Sequence, residues 1–376
     1  MSNWKEKPLS EYCEFQEGYV NPPKGHSEYF GGDIKWCRAV DINNGYVYST
    51  SQTLTDAGFN SAKKSAVLFK PNTIVITKSG TIGRLGIIKD YMCGNRATIN
   101  IIPKNNADVE FVFYLLRSRQ NEFFDLAVGS VQKNLYVSIL EKMMFKFPSL
   151  YEQKKIASFF SVIDKKIDIN NRINRNLSEQ AAAIYKAWFI NFEMNNGICP
   201  DDWTDGVLGD IAEIASGKRP PMKQNNKTDD VCIPLVGAAS IMGYTNTVLY
   251  DSKILVTGRV GTHGVIQRFN QSCWPSDNTL VITTDRYEFV NQILLGVDYK
   301  SMNRGSTQPL ITQGDLKKIE IILPNDAALD EFENLVGGLM SQYEKNVKEN
   351  AKLSELRDSL LPKLMSGELE VSEIDF

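Results

Sequence analysis

Two patterns of apolar residues alternate along the chain, and each of them occurs twice. Short runs rich in β-branched residues, such as residues 73–77 and 279–282, are separated by Gly, Pro and Asn. Such runs predict strands joined by turns. Residues 149–194 and 325–366 differ, because their apolar side chains recur at spacings of three and four residues. That spacing predicts one long helix in each segment.

Both predicted helices carry a heptad seam, the pattern by which one helix packs along another. The two seams match at an offset of 176 residues, and asparagines fall on asparagines. Asparagines within a seam fix the register of a helix pair; the alternative is that they lie just beside the seam, in water. The seam positions are Ile156, Phe160, Ile163, Ile167, Asn170, Asn174, Leu177 and Ile184 in the first helix, and Phe332, Val336, Leu339, Tyr343, Asn346, Asn350, Leu353 and Leu360 in the second.

A short connection favours pairing of the two helices with each other, although each helix could instead pack on its own globular domain. Residues 195–204 alone separate the first helix from the second β-rich segment. An antiparallel helix pair is the simplest arrangement for so short a connection. We therefore expect an antiparallel coiled coil that spaces two globular domains, related by a pseudo-twofold axis.

Motifs in the β-rich segments repeat as well, so the whole chain is predicted to be a tandem duplication. A Gly-Ser-Val-Gln motif at residues 129–132 returns as Gly-Ser-Thr-Gln at residues 305–308. Gly18 returns as Gly217. A Gly-x-x-Gly-x-x-Gly pattern also recurs, at an offset of 178, from residues 80–86 to residues 258–264.

The duplication predicts an α+β fold of four consecutive parts. Each β-rich α/β globular domain is followed by one long spacer helix, and the second helix ends in a short tail. The predicted boundaries are residues 1–148 for the first globular domain, 149–196 for the first helix, 197–324 for the second globular domain, and 325–376 for the second helix and tail.

Composition and motifs disfavour catalytic chemistry in this chain. Its six cysteines form no Cys-x-x-Cys pair and it has two histidines, so neither a zinc site nor a disulfide framework is expected. The sequence contains no Walker loop, no Gly-x-Ser-x-Gly and no His-Glu-x-x-His motif. Its first five residues do not have the apolar character of a secretory signal, and no apolar run reaches 18 residues. We expect a cytoplasmic protein with no metal or cofactor of its own.

One order of short motifs runs through the first half and is largely repeated in the second. A β-rich region precedes a Gly-Thr-Ile-Gly turn at residues 80–83 and then the Gly-Ser-Val-Gln motif. A strand ending in Pro148 follows, and Tyr-Glu-Gln-Lys-Lys-Ile-Ala at residues 151–157 opens the long helix. In this order, over nearly its whole length, the chain resembles the specificity subunit of type I restriction-modification systems.

The resemblance implies a non-catalytic, DNA-binding role. Each globular domain would be a target-recognition domain for one half of a bipartite site in double-stranded DNA. The helices would fix the gap and dock methyltransferase subunits, expected to be two, which carry S-adenosylmethionine and connect to restriction or translocase subunits. The second half departs from the pattern with Gly-Arg-Val-Gly at residues 258–261 and Asn-Asp-Ala-Ala-Leu at residues 325–329. The second departure puts docking on the second helix in doubt.

Charge is distributed unevenly between these parts. Residues 1–148 carry 18 Lys and Arg against 14 Asp and Glu, whereas residues 325–376 carry 5 against 12. Basic side chains recur at turns judged equivalent in the two domains, where they could reach phosphates or guanine edges; the alternative is surface cations in water. Glutamines of the Gly-Ser-x-Gln motifs could read adenine or stabilise a turn. The candidate DNA-binding residues are Lys24, Lys78, Arg84 and Gln132 in the first domain, and Lys218, Arg219, Lys223, Arg259, His263 and Gln308 in the second.

Two other functions remain open from the sequence. One is a coiled-coil scaffold that makes no contact with DNA, and the other is a self-contained DNA methyltransferase. Salt-dependent binding to random duplex would argue against the scaffold. Binding of S-adenosylmethionine by the isolated chain would identify a methyltransferase.

Overall fold

A computed structural model describes residues 4–129, 132–302 and 310–370 of the chain, which form two compact units. The first unit contains the chain up to Asn170 together with the residues from Lys348 onward. The second unit contains the residues between, from Asn171 to Val347. Each unit therefore combines one globular domain with parts of both long helices.

The first globular domain consists of short strands and short helices and leads into one long helix. Its strands are β1 (Lys5–Pro8), β2 (Cys13–Glu17), β3 (Phe30–Cys37), β4 (Gly45–Val47), β5 (Thr53–Leu54), β6 (Leu68–Phe69), β7 (Ile74–Thr77), β8 (Leu85–Ile88), β9 (Met92–Gly94), β10 (Thr98–Pro103) and β11 (Met144–Phe147). Its helices are α1 (Asp56–Asn60), α2 (Val109–Ser118), α3 (Glu122–Leu126) and α4 (Val137–Lys142), and the long helix is α5 (Leu150–Tyr185).

A five-stranded sheet in the order β2-β10-β7-β8-β4 forms the centre of this domain, beside a β5-β3-β9-β6 sheet and a β1-β11 pair. Successive side chains of a strand point to opposite faces. Ile74 and Ile76 of β7 join the core cluster that includes Phe111 of α2, whereas Val75 joins a second cluster with Phe69. Both faces of the sheet are therefore buried, which explains the uninterrupted apolar runs in the sequence.

The second globular domain repeats this plan with fewer strands. Its strands are β12 (Thr204–Val207), β13 (Glu213–Ser216), β14 (Ile233–Val236), β15 (Ile241–Thr245), β16 (Ile254–Gly258), β17 (Gln267–Phe269), β18 (Trp274–Pro275), β19 (Thr279–Thr283) and β20 (Glu320–Leu323). Its helices are α6 (Tyr287–Gly296) and α7 (Gln313–Lys317), followed by the long helix α8 (Asp326–Ser366). The sheets have the orders β13-β19-β16-β17, β15-β14-β18 and β12-β20.

Both long helices begin at a capped residue. The Ser149 hydroxyl accepts a hydrogen bond from Glu152 N at 3.3 Å, and the Glu152 carboxylate accepts one from Ser149 N at 3.0 Å. At the start of α8 the Asn325 side chain accepts a hydrogen bond from Ala328 N at 2.8 Å. The departure at residues 325–329 thus replaces a capping box by a single asparagine cap, and the helix is retained.

In the first unit, the N-terminal half of α5 packs antiparallel against the C-terminal half of α8. Asp164 contacts Arg357, and Asn170, farther along α5, contacts Asn350, which comes earlier in α8. The two helices therefore run in opposite directions. Phe160 is fully buried in the same core cluster as Leu364. Asn170 is 1% exposed and therefore lies within the seam.

A buried ionic cluster fastens the first globular domain to both helices. The Asp164 carboxylate accepts hydrogen bonds from Tyr114 Oη at 2.8 Å, Arg117 Nη1 at 3.1 Å and Arg357 Nη1 at 2.6 Å. Burial opposes charge on Arg117 and lowers the pKa of its guanidinium, while Asp164 favours the charged form. Three donors share one carboxylate. If one donor is removed, the Asp164 charge is therefore still partly compensated by the other two.

The second unit has the same antiparallel pairing with different side chains. Asn346 Nδ2 donates to Asn174 Oδ1 at 2.8 Å, and both residues are buried. Farther along, Phe332 and Val336 are fully buried in one core cluster with Phe189. At the next turn Met340 is the buried residue, while the predicted seam residue Leu339 is half-exposed.

The predicted α+β fold of a duplicated chain is thus confirmed. The remaining seam positions, namely Ile156, Ile163, Ile167, Leu177, Ile184, Tyr343, Leu353 and Leu360, are buried or half-buried.

Packing of the seam can be tested by truncating one buried ring. Phe160→Ala removes a side chain that is fully buried in the first unit. We expect a loss of about 3–5 kcal/mol in the free energy of unfolding, measured by denaturant titration. Val162→Ala, on the same helix but with Val162 65% exposed, is the matched control and should change it by less than about 0.5 kcal/mol. Equal losses in the two variants would contradict the seam.

Candidate nucleic-acid interface

Loops of the first globular domain meet at one end of its central sheet, where β2 and β7 end and β10 begins. Gly18 N donates to Thr98 O at 2.9 Å, and Lys78 N donates to Ala97 O at 2.8 Å. Leu135 N in turn donates to Lys78 O at 2.9 Å. We call this surface the first loop edge, comprising residues 17–24, 78–84, 94–97 and the described part of 128–135.

The second globular domain has the same arrangement. Gly217 N donates to Thr279 O at 3.1 Å, Arg259 N to Asn278 O at 2.8 Å, and Ile311 N to Arg259 O at 3.0 Å. These three bonds match those of the first domain one for one. The second loop edge comprises residues 216–223, 259–265, 275–278 and 310–313.

A glycine is required at one position of each loop edge. A Cβ at Gly18 would lie 2.2 Å from Asn95 O, and a Cβ at Gly217 would lie 2.2 Å from Ser276 O. Such distances are far below van der Waals contact, so any larger residue would separate the loops. The sequence match between Gly18 and Gly217 therefore reflects one shared structural requirement.

The predicted match between the glycine turns at an offset of 178 is wrong. Thr77 pairs with Thr98 in the first domain as Gly258 pairs with Thr279 in the second, which gives an offset of 181. The counterpart of Gly-Thr-Ile-Gly at residues 80–83 is thus Gly-Thr-His-Gly at residues 261–264.

Backbone conformation supports the corrected match. Gly80 and Gly83 have φ of 73° and 88°, and Gly261 and Gly264 have φ of 83° and 78°. Gly258 has no such conformation and lies at the end of β16; its spacing from the next glycine merely imitates the motif. The second domain therefore keeps the turn as Gly-Thr-His-Gly, three residues beyond the Gly-Arg-Val-Gly predicted to replace it.

The new register changes which candidate residues are equivalent. Lys78 corresponds to Arg259, and their main chains make the same two hydrogen bonds. Arg84 corresponds to Val265 and His263 to Ile82, so these two candidates have no basic counterpart in the other domain.

Several candidate cations are free to contact a ligand. Lys24, Lys218, Arg219 and Lys223 are exposed, and Arg259 is half-exposed. None of these side chains forms a hydrogen bond or ion pair with another residue that the structure describes. Three of them, Lys218, Arg219 and Lys223, lie on one loop that leaves the second edge at Gly217.

Two other candidates already have partners in the protein. Lys78 Nζ lies 2.7 Å from Glu17 Oε2. His263 Nδ1 lies 3.1 Å from Gly258 O, so this nitrogen carries a proton and donates it. Its Nε2 is buried and has no partner among the residues described. Nδ1 thus contributes a hydrogen bond to the turn, and His263 is not matched to a basic residue of the first domain; contact of His263 with DNA stays a prediction.

The remaining candidates differ in their surroundings. Arg84 is half-exposed, and within the described part of the chain its side chain has no charged partner. Gln132 is exposed, and its main-chain oxygen accepts a hydrogen bond from Asn134 Nδ2 at 3.2 Å. Gln308 lies outside the described residues.

Sequence reasoning missed two exposed residues of the first loop edge. Tyr19 is 44% exposed beside Gly18, and Arg96 is exposed beside Ala97. Their counterparts in the second domain are Lys218 and Asp277. Because the candidates were selected for repetition between the domains, side chains that differ at matched positions escaped that selection.

Features that would indicate metal or thiol chemistry are weak. No group of three or more potential metal ligands occurs among the described residues. Burial raises the pKa of Cys13, Cys37, Cys93 and Cys273 to about 12, so these thiols are protonated at neutral pH. In the described chain, no helix combines the length and apolarity needed to cross a bilayer.

Comparison with known proteins agrees with a duplicated recognition module. A family model described as the type I restriction modification DNA specificity domain matches residues 1–179 and, a second time, residues 200–354. The chain therefore belongs to the family of type I restriction-modification DNA specificity proteins, and its role is that of the DNA-recognition subunit.

Individual relatives agree along the whole chain. The MjaIX specificity subunit of Methanocaldococcus jannaschii is 27% identical, over 99% of this chain and 95% of its own. The EcoprrI specificity subunit of Escherichia coli is 23% identical over 88% of each chain. The crystal structure of a type I S subunit from M. genitalium has the same fold, with a TM-score of 0.63, 17% identity and coverage of 97% of this chain and 96% of that one.

The requirement for glycine at the loop edges can be tested directly. Gly18→Ala places a methyl group 2.2 Å from a main-chain oxygen, so we expect a loss of about 1–3 kcal/mol in the free energy of unfolding. Gly25→Ala, in the same loop but with open space around the added methyl, should be neutral or stabilising by up to about 1 kcal/mol. Thermal unfolding of both variants measures the difference. Tolerance of alanine at residue 18 would refute the close approach.

Proposed function

We propose that each globular domain reads one half of a bipartite DNA site with its loop edge, and that the chain itself catalyses no reaction. One observation carries this proposal: the same main-chain hydrogen bonds support both edges, while the exposed side chains differ. The first domain has Tyr19 and Arg96 where the second domain has Lys218 and Asp277 at the equivalent positions. A constant frame with variable side chains suits two domains that read different bases.

Charge at the edges supports contact with DNA. Lys24, Lys218, Arg219 and Lys223 are exposed cations without a carboxylate partner in the described structure. Such cations bind phosphates and release counterions, which makes binding depend on salt. An exposed aromatic such as Tyr19 offers a surface against sugar or base.

The long helices are proposed to set the gap between half-sites and to dock two methyltransferase subunits. Val162 and Ile169 of α5 are 65% and 50% exposed in the first unit, and Ile173 is 42% exposed in the second. Large apolar side chains in water favour a protein partner. The partner methyltransferases would carry S-adenosylmethionine and the catalytic groups, and restriction or translocase subunits would join through them.

Binding of the full chain to random duplex tests the proposal against its alternatives. We expect the logarithm of the binding constant to fall linearly with the logarithm of salt concentration. Salt-independent or absent binding would favour the coiled-coil scaffold. Direct binding of S-adenosylmethionine to the isolated chain would favour the self-contained methyltransferase.

The proposed ruler can be shortened without disturbing the remaining helix contacts. Deleting residues 167–173 together with residues 347–353 removes the Asn170–Asn350 pair and keeps Asn174 opposite Asn346. Seven residues of helix rise about 10 Å, or roughly three base pairs of duplex. Mapping methylated sequences in a host that carries the variant and its partners should show both half-sites unchanged and a gap shorter by about three base pairs.

A deletion in one helix is the control for this experiment. Removing residues 167–173 alone shifts every later contact of α5 and should abolish methylation. An unchanged gap after the double deletion, with methylation retained, would show that the helices do not set the spacing.

A further inference from the structure

The two loop edges differ in charge at one matched pair of positions. Glu17 pairs with Ile99 in β10, and Ser216 pairs with Leu280 in β19, so Glu17 and Ser216 are equivalent. Glu17 Oε2 lies 2.7 Å from Lys78 Nζ. At the second edge the Ser216 hydroxyl accepts a hydrogen bond from Gln313 Nε2 at 2.9 Å, and Arg259 has no carboxylate partner among the described residues.

The ion pair at the first edge is shielded from solvent. The side chain of Lys78 is 15% exposed and that of Glu17 is 24% exposed. Water and salt screen a pair in this position less than a pair on the open surface. A carboxylate oxygen at 2.7 Å satisfies the ammonium group as a phosphate oxygen would.

The main chain of Lys78 cannot move away from the edge without breaking its frame. Its N–H is bonded to Ala97 O and its carbonyl to Leu135 N. The base of the Lys78 side chain therefore stays at the edge whichever anion the ammonium group contacts. A change of partner requires side-chain rotation and no movement of these main-chain bonds.

Building on the proposed function, we propose that Glu17 occupies the phosphate position of Lys78 in the free protein and is displaced when the first edge engages DNA. The carboxylate competes with any phosphate for Lys78, so Lys78 contributes little to binding of random sequence. Lys78 binds a DNA phosphate only where contacts between the first edge and the bases compensate for the loss of the Glu17 ion pair. The second edge, with Ser216 in place of the carboxylate, provides Arg259 for non-specific contact. Glu17 is thus a specificity-determining residue.

The test compares the salt dependence of binding to random duplex for variants of the full chain. Glu17→Gln frees Lys78, so the slope of log affinity against log salt should become steeper by about 0.9, the value for one additional phosphate. Lys78→Met should leave the wild-type slope unchanged and should cancel the gain in the Glu17→Gln background. Arg259→Met should make the wild-type slope shallower by about 0.9, because one phosphate contact is lost.

Glu14→Gln is the matched control, because Glu14 lies on the same strand, is exposed, and its substitution changes the net charge equally. Equal slopes for Glu17→Gln and Glu14→Gln would overturn the proposal. A shallower slope for the single variant Lys78→Met than for the wild-type chain would also overturn it. Absence of salt-dependent binding by the wild-type chain would instead refute the proposed function itself. Thermal unfolding checks each variant, and Glu17→Ser, the residue of the second domain, replaces Glu17→Gln if the latter does not fold.

Discussion

Close approach of main chain to main chain at the loop edges is the constraint on which the proposed recognition surface depends. At Gly18 and Gly217 there is no room for a Cβ, because a carbonyl oxygen would lie 2.2 Å away. The approach allows the loop after the first strand of each central sheet to bond to the strand beside it. With the main chain held in this way, the outward side chains can differ between domains while the frame is preserved.

The long helices also combine a shared main-chain arrangement with different side chains. Both have the same heptad pattern, but the side chains that fill it differ between the two units. Each unit contains one asparagine pair across the helices, Asn170–Asn350 in the first and Asn174–Asn346 in the second. The ionic cluster at Asp164 and Arg357 has no such repeat, because the matched positions are Met340 and Ala181. Polar groups buried in a seam favour the register that satisfies them, and here an ionic layer in the first unit corresponds to an apolar layer in the second.

Much of this architecture follows from local sequence signals. Buried strands such as β7 consist of uninterrupted β-branched residues, and the heptad spacing of Phe160 and Phe332 predicts their burial. The register of the glycine turns could not be obtained in the same way. Gly258 stands three residues before Gly261, so spacing alone matches the wrong glycines, and the pairing of β16 with β19 together with the glycine φ angles resolves the offset.

The candidate site was less predictable than the fold, since its chemistry depends on contacts between distant segments. The Glu17–Lys78 pair forms because β10 lies between β2 and β7, an order that no local pattern contains. Tyr19 and Arg96 carry no repeat signal and become candidates only when the loops are seen together. His263 shows the opposite case, a residue singled out by its charge that the turn uses for its own hydrogen bond.

The central claim is that each loop edge reads its own half of the target independently. Mapping of methylated sequences in a host that carries Arg96→Ala with its partner subunits tests this claim most directly. The account predicts relaxed sequence preference, or reduced methylation, tied to one half-site, while the other half-site and the gap stay unchanged. Relaxed preference in both half-sites, or an unaltered motif methylated at the wild-type level, would contradict it.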